Sequence, residues 1–117
     1  MYYTYIIKCK NGNLYTGITT DVERRFNEHK SKSKISAKYT RANPVVRIEA
    51  VWSSSSRSYA SKLESFIKTL ERKNKLELIS NPKYLNDKYF DKLDTDEYKF
   101  ESDIILNVNK KQVNLIN

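Results

Sequence analysis

Cysteine and histidine each occur once in this chain of 117 residues, and glycine occurs twice. The lone Cys9 excludes an internal disulfide framework, and no Cys/His set has the spacing of a zinc site. Cys9 stands in an apolar run and reads as an ordinary, partly buried strand residue. No apolar stretch approaches the roughly 20 residues needed to span a bilayer, and the N-terminus shows no basic segment leading into an apolar run and a small-residue cleavage site. A cytoplasmic protein with no membrane partner is therefore expected. No internal repeat is present, which removes solenoid and propeller architectures.

What is there suffices for one modest core: 38% hydrophobic and 12% aromatic residues at a common domain size. The formal charge of +8 is uneven along the chain. Residues 1–75 carry sixteen Lys/Arg against six Asp/Glu, or +10, and residues 76–117 carry six against eight, or −2. The basic surface thus belongs to the first part, where a polyanion such as nucleic acid is the natural partner, because each neutralised phosphate releases counterions. Charge alone is equally compatible with solvated lysine faces.

Tyr2 to Cys9 reads as a strand, and Asn13 to Gly17 as its antiparallel partner across Asn11-Gly12, a dipeptide suited to a type I′ turn. Thr20 is the expected helix cap, with Glu23 closing a capping box, and Val22, Phe26 and His29 follow at helical spacing to about Lys30. A polar, lysine-rich connection leads to Asn43-Pro44. A third strand is predicted from Val45 to Trp52, with Val45, Arg47 and Glu49 on one face and Val46, Ile48 and Ala50 on the other. Ser53 to Ser56 read as a loop. Leu63, Phe66, Ile67 and Leu70 recur at i, i+3, i+4 and i+7, the stripe of a helix beginning at Arg57. A short helix near Lys75 to Ile79 should stop at Asn81-Pro82. Beyond it come an acidic stretch from Asp91 to Glu97 and a candidate strand from Ile104 to Val108.

Five residues on this framework invite chemistry: Tyr5, Tyr15, Arg25, His29 and Glu64. Each has an ordinary explanation. Tyr5 and Tyr15 suit a cross-strand aromatic pair. Arg25 and His29, one turn apart, suit a solvated helix face. Glu64 stands four residues before Lys68, the spacing of a weak surface ion pair.

Their combination resembles the GIY-YIG nuclease domain, in particular its small free-standing bacterial members, which are related to excision-repair and junction nucleases. Tyr3-Thr4-Tyr5 and Tyr15-Thr16-Gly17 resemble the two halves of the motif. The run from Ile18 through Arg25 to His29 resembles its first helix. Ala37-Lys38-Tyr39-Thr40-Arg41 resembles the family's loop, and Ser58 through Ile79, with Glu64-Ser65-Phe66-Ile67-Lys68, its glutamate helix. The first motif lacks its nominal glycine and isoleucine, and Thr16 replaces the isoleucine of the second. Coverage is about residues 1–80, leaving 81–117 as an extension of unassigned role packed on the same domain.

The resemblance implies an α+β fold, a three-stranded antiparallel sheet flanked by helices, and hydrolysis of DNA phosphodiesters. It implies Tyr5 as general base with Tyr15 beside it, Glu64 as ligand of one Mg²⁺ or Mn²⁺, and Arg25 and His29 near the scissile phosphate. These residue types suit phosphodiester cleavage, since a carboxylate is a hard oxygen ligand and a guanidinium grips phosphate while staying charged. A phenol with an ordinary pKa of about 10 is a poor base unless cations favour its anion. Gly17, Arg24, Lys32, Lys34, Lys38, Tyr39, Arg41 and Lys68 are candidates for nucleic-acid contact; Gly17 would leave room close to the sheet, and Tyr39 would stack a base. With no sequence-reading motif after the core, specificity falls to substrate shape, loop contacts or a protein partner. The alternatives are a nucleic-acid-binding module that cuts nothing, and an acidic tail that covers the basic face.

Overall fold

A computed structural model describes residues 1–31 and 42–116, the last four of these as helical backbone alone. In chain order the elements are β1 (Tyr2–Cys9), β2 (Leu14–Thr19), α1 (Val22–Lys30), β3 (Val45–Ser54), α2 (Arg57–Thr69), α3 (Arg72–Ser80), α4 (Tyr84–Lys88), a 3-10 turn (Thr95–Glu97), β4 (Lys99–Phe100) and α5 (Ser102–Ile116). The sheet is antiparallel in the order β2-β1-β3-β4. The fold is α+β, and the expected three strands are joined by the two-residue β4 at Trp52 and Ser53. No helix among the described residues is long and apolar enough to cross a membrane.

The central strand β1 is buried on both faces, which explains its nearly continuous apolar character. Tyr5, Ile7 and Cys9 join Val22, Phe26, Val45, Ile48, Val51 and Val108 in one cluster beneath α1 and α5. Ile6 joins Ala50, Trp52, Leu63, Ile67, Leu78, Leu85 and Tyr98 in a second, beneath α2, α3 and α4. Cys9 is fully buried rather than partly so.

Several sequence expectations change in detail. The hairpin closes through Gly12 N–H to Cys9 O (2.9 Å) and Cys9 N–H to Asn13 O (2.8 Å), a three-residue loop in which Gly12 takes φ +87° in place of a two-residue type I′ turn. The cap of α1 is Asp21, whose carboxylate accepts from Arg24 N–H, and Thr20 is exposed outside the helix. A carboxylate at this end also meets the positive pole of the helix. In β3 the register shifts between Ile6 and Ile7 and again between Lys8 and Cys9. The two bulges pass over Glu49 and Val46 and flip the side-chain alternation twice. Val45 and Ile48 therefore share a core face, while Val46 is 47% exposed. β3 also continues through Ser53 and Ser54, whose buried hydroxyls donate to Glu101 and to backbone carbonyls.

Residues 104–108 are helical, not extended. Ile104, Ile105, Val108 and Gln112 form a stripe at helical spacing, and Val108 enters the first core cluster. A short β-branched run cannot by itself distinguish a strand from one face of a buried helix. α5 also covers the part of β3 that β4 does not pair. Asn109 Nδ2 donates to Ile48 O, and Asn109 Oδ1 accepts from Ile48 N–H, each at 2.9 Å. One side-chain amide thus completes the hydrogen bonding of an edge residue. Asn109→Ala should lower the unfolding free energy by about 1–3 kcal/mol, seen as a lower urea midpoint at an unchanged slope; an unmoved midpoint would mean that water replaces the amide.

Candidate active site

Tyr5 lies opposite Gly17 in the β1–β2 register, and Tyr15, two residues before Gly17, pairs with Ile7. The two tyrosines are therefore diagonal neighbours on one sheet face. The Tyr5 ring crosses directly over Gly17: a Cβ built there would stand 2.5 Å from Tyr5 Oη and 2.7 Å from Cζ. The buried Gly17 leaves room for the phenol rather than for substrate. Gly17→Ala should push the phenol off its partners and cost roughly 1–3 kcal/mol of stability; an unchanged unfolding midpoint together with an unchanged His29 titration would refute the close approach.

Beyond Gly17 the phenol meets α1. Tyr5 Oη lies 2.9 Å from His29 Nε2, and the Arg25 guanidinium hydrogen-bonds the same phenol. The oxygen can accept from Arg25 and donate its own proton to Nε2, an arrangement that goes with the imidazole proton on Nδ1. Arg25 and His29 occupy successive turns of α1, but they do not form a solvated face. His29 is completely buried between the edges of two tyrosine rings, with centroid distances of 6.0 Å to Tyr5 and 5.4 Å to Tyr15.

Burial governs the protonation states. It drives the Tyr5 phenol well above its ordinary value, and the Arg25 hydrogen bond only partly offsets this, while the charges of Tyr15 and Glu64 add to the rise. Burial also lowers His29 to about 4, with Arg25 pushing the same way and Glu28 opposing. Resting Tyr5 and His29 are both neutral. Arg25 is held charged by Glu28 at 3.1 Å, a partner three residues along α1 that the motif pattern does not single out.

Glu64 stands on α2, partly exposed, with Lys68 Nζ 3.4 Å away in an i,i+4 pair. Its carboxylate is near enough for its charge to be felt at Tyr5. No group of three or more Asp, Glu, His or Cys gathers as a metal site among the described residues. A single carboxylate nonetheless fits Mg²⁺ or Mn²⁺, which keep several waters and take further oxygens from a substrate phosphate. Arg24 and Lys68 are exposed, paired with Glu28 and Glu64 respectively. Lys32, Lys34, Lys38, Tyr39 and Arg41 lie outside the described residues.

His29 supplies a direct test, being the chain's one histidine. Its folded pKa is below the unfolded value of about 6.5, so the unfolded chain binds the extra proton first. Stability from the neutral imidazole is complete above pH 6.5 and is lost as pH falls toward about 4. The loss should be on the order of 3 kcal/mol, and His29→Gln should flatten it. A ring proton resonance titrating near 6.5 in the folded protein would contradict the buried, neutral assignment.

A family model described as the GIY-YIG catalytic domain matches residues 1–77. A UPF0213 protein of Fusobacterium nucleatum is 44% identical over 81 residues, spanning 69% of this chain and 79% of the relative. One from Halalkalibacterium halodurans is 43% identical over 79 residues, spanning 68% and 82% respectively. The solution NMR structure of a UPF0213 protein from Bacillus halodurans has 41% identity, covers 76% of this chain and 96% of its own, and aligns with a TM-score of 0.44. The UPF0213 designation states no activity.

Proposed function

The chain belongs to the GIY-YIG catalytic-domain family, and from that membership we propose that it is a divalent-metal-dependent nuclease that hydrolyses DNA phosphodiesters. In this reading residues 1–80 carry the machinery and 81–117 brace it. The observation that carries the proposal is the 2.9 Å contact between Tyr5 Oη and His29 Nε2 beside Arg25. A phenol and a neutral imidazole, both buried and in contact, make a path for a proton.

As the attacking water forms its bond to phosphorus, its proton passes to the Tyr5 oxygen and the phenol's own proton passes to His29 Nε2. The P–O bond to the leaving strand breaks, and that oxygen takes a proton from solvent. His29 is a weak base in the resting site, but a bound phosphate brings negative charge beside it and favours the imidazolium. Arg25 exchanges Glu28 for phosphate oxygens and neutralises the charge developing there. Glu64 would hold the divalent cation, which when bound would supply Lewis acidity beside the phosphate. Tyr15, edge-on to His29, keeps the imidazole in place.

One feature favours the non-catalytic alternative: Glu64, the candidate metal ligand, is already paired with Lys68. The same experiment separates the two readings. Single-stranded, duplex and branched DNA are incubated with the protein in Mg²⁺ or Mn²⁺. Cleavage should occur and should fall by about 10²-fold or more in each of Tyr5→Phe, Arg25→Ala and Glu64→Ala. Intact DNA throughout, or cleavage indifferent to all three changes, would leave only a binding module.

A further inference from the structure

Tyr15 also lines a second feature, a cleft of about 500 Å³ with Asn13, Leu14, Arg72 and Lys75. β2 lines it with Leu14 and Tyr15, whose side chains leave opposite faces of this edge strand, so the cleft wraps the strand's edge. The N-terminal part of α3 supplies two cations three residues apart on one helix face. Arg72 Nη2 donates to Gly12 O at 3.0 Å, which fixes the guanidinium against the hairpin loop. Neither Arg72 nor Lys75 is ion-paired to a carboxylate among the described residues. This differs from Arg25, which Glu28 already engages.

We infer that this cleft seats an unpaired nucleotide of the substrate strand next to the scissile phosphate, with Arg72 and Lys75 on the backbone and Tyr15 and Leu14 against the base. The assignment of the neighbouring phosphate rests on the nuclease reading; binding in the cleft does not. An aromatic ring within a basic groove takes any base whose face is open and holds the strand by its phosphates. In a duplex that face is stacked against neighbouring pairs, so an apolar-walled cleft favours single-stranded or frayed nucleic acid. Tyr15 joins the two sites, since its ring touches the edge of His29.

The test is fluorescence anisotropy of a labelled single-stranded oligonucleotide and a blunt duplex over a salt series in EDTA, where turnover does not enter. The full chain is compared with Lys75→Ala and with Arg72→Ala/Lys75→Ala. On the single strand the double variant should bind roughly tenfold more weakly, with the log-log salt slope reduced by about 0.7 for each cation removed. Duplex affinity should change less than about twofold. Arg72 also holds the hairpin loop, so if the double variant is unstable Lys75→Ala decides, because it leaves the Arg72 bond intact. Unchanged single-strand affinity in Lys75→Ala, or equal losses on strand and duplex, would overturn the inference. A protein that cleaves DNA yet binds normally as Lys75→Ala removes the cleft alone; one that binds through the cleft yet cleaves nothing removes the nuclease reading alone.

Discussion

The passage of the Tyr5 ring over Gly17 is the constraint on which the site depends. β1 is central and buried, so a tyrosine there would ordinarily leave its hydroxyl without water or partner, an expensive arrangement. The missing side chain at Gly17 lets the ring lean across β2 until the hydroxyl reaches α1. That in turn requires a polar residue at a buried position of α1, and His29 occupies it. The angle of α1 over the sheet is held from the other side by α5, through Val108 in the shared core, Lys111 with Glu23 and Lys30 with Gln112.

The electrostatics follow from the same burial. A phenol and an imidazole removed from water both favour their neutral forms, and the cation that accompanies them sits at the rim with its own carboxylate. Arg25 with Glu28 and Glu64 with Lys68 are partly exposed pairs, of the kind worth roughly 0–1 kcal/mol each. Such pairs exchange partners cheaply. A phosphate that displaces Glu28 from Arg25, or a cation that displaces Lys68 from Glu64, thus meets little resistance.

Legibility in the sequence tracked the range of the interactions. The strands and helices that carry the two tyrosines, the Arg-His pair and Glu64 were readable from periodicity, which uses neighbours a few residues away, but only the family resemblance singled the five residues out. Local competition blurred the cap of α1, since Thr20 and Asp21 are both good capping residues and only the chain's path selects the second. The hairpin loop is one residue longer than its dipeptide suggests because Cys9, not Lys10, closes the ladder. The bulges of β3 left no composition signal, because the extra residues, Val46 and Glu49, are ordinary strand residues. Arg72 on the Gly12 carbonyl, sixty positions away, was beyond any local reading.

The extension shows the same principle at larger scale. The family match ends at residue 77, yet both cores draw on residues beyond it: Leu78, Leu85 and Tyr98 in one and Val108 in the other. A three-stranded sheet ending at β3 would expose an edge, and an exposed edge invites pairing with another chain. Here β4 pairs the upper part of that edge at Trp52 and Ser53, and Asn109 pairs the lower part at Ile48. The acidic stretch makes no ion pair with the basic first part among the described residues. Its neighbours are the Ser58–Phe66 side of α2 and the Tyr98 hydroxyl bonded to Tyr59 O. A tail placed by edge pairing and apolar contact covers the sheet from the β3 side, opposite the β2 edge over which Tyr5 leans. Sealing of the β3 edge thus falls to the extension, while the candidate site is built from β1, β2, α1 and α2.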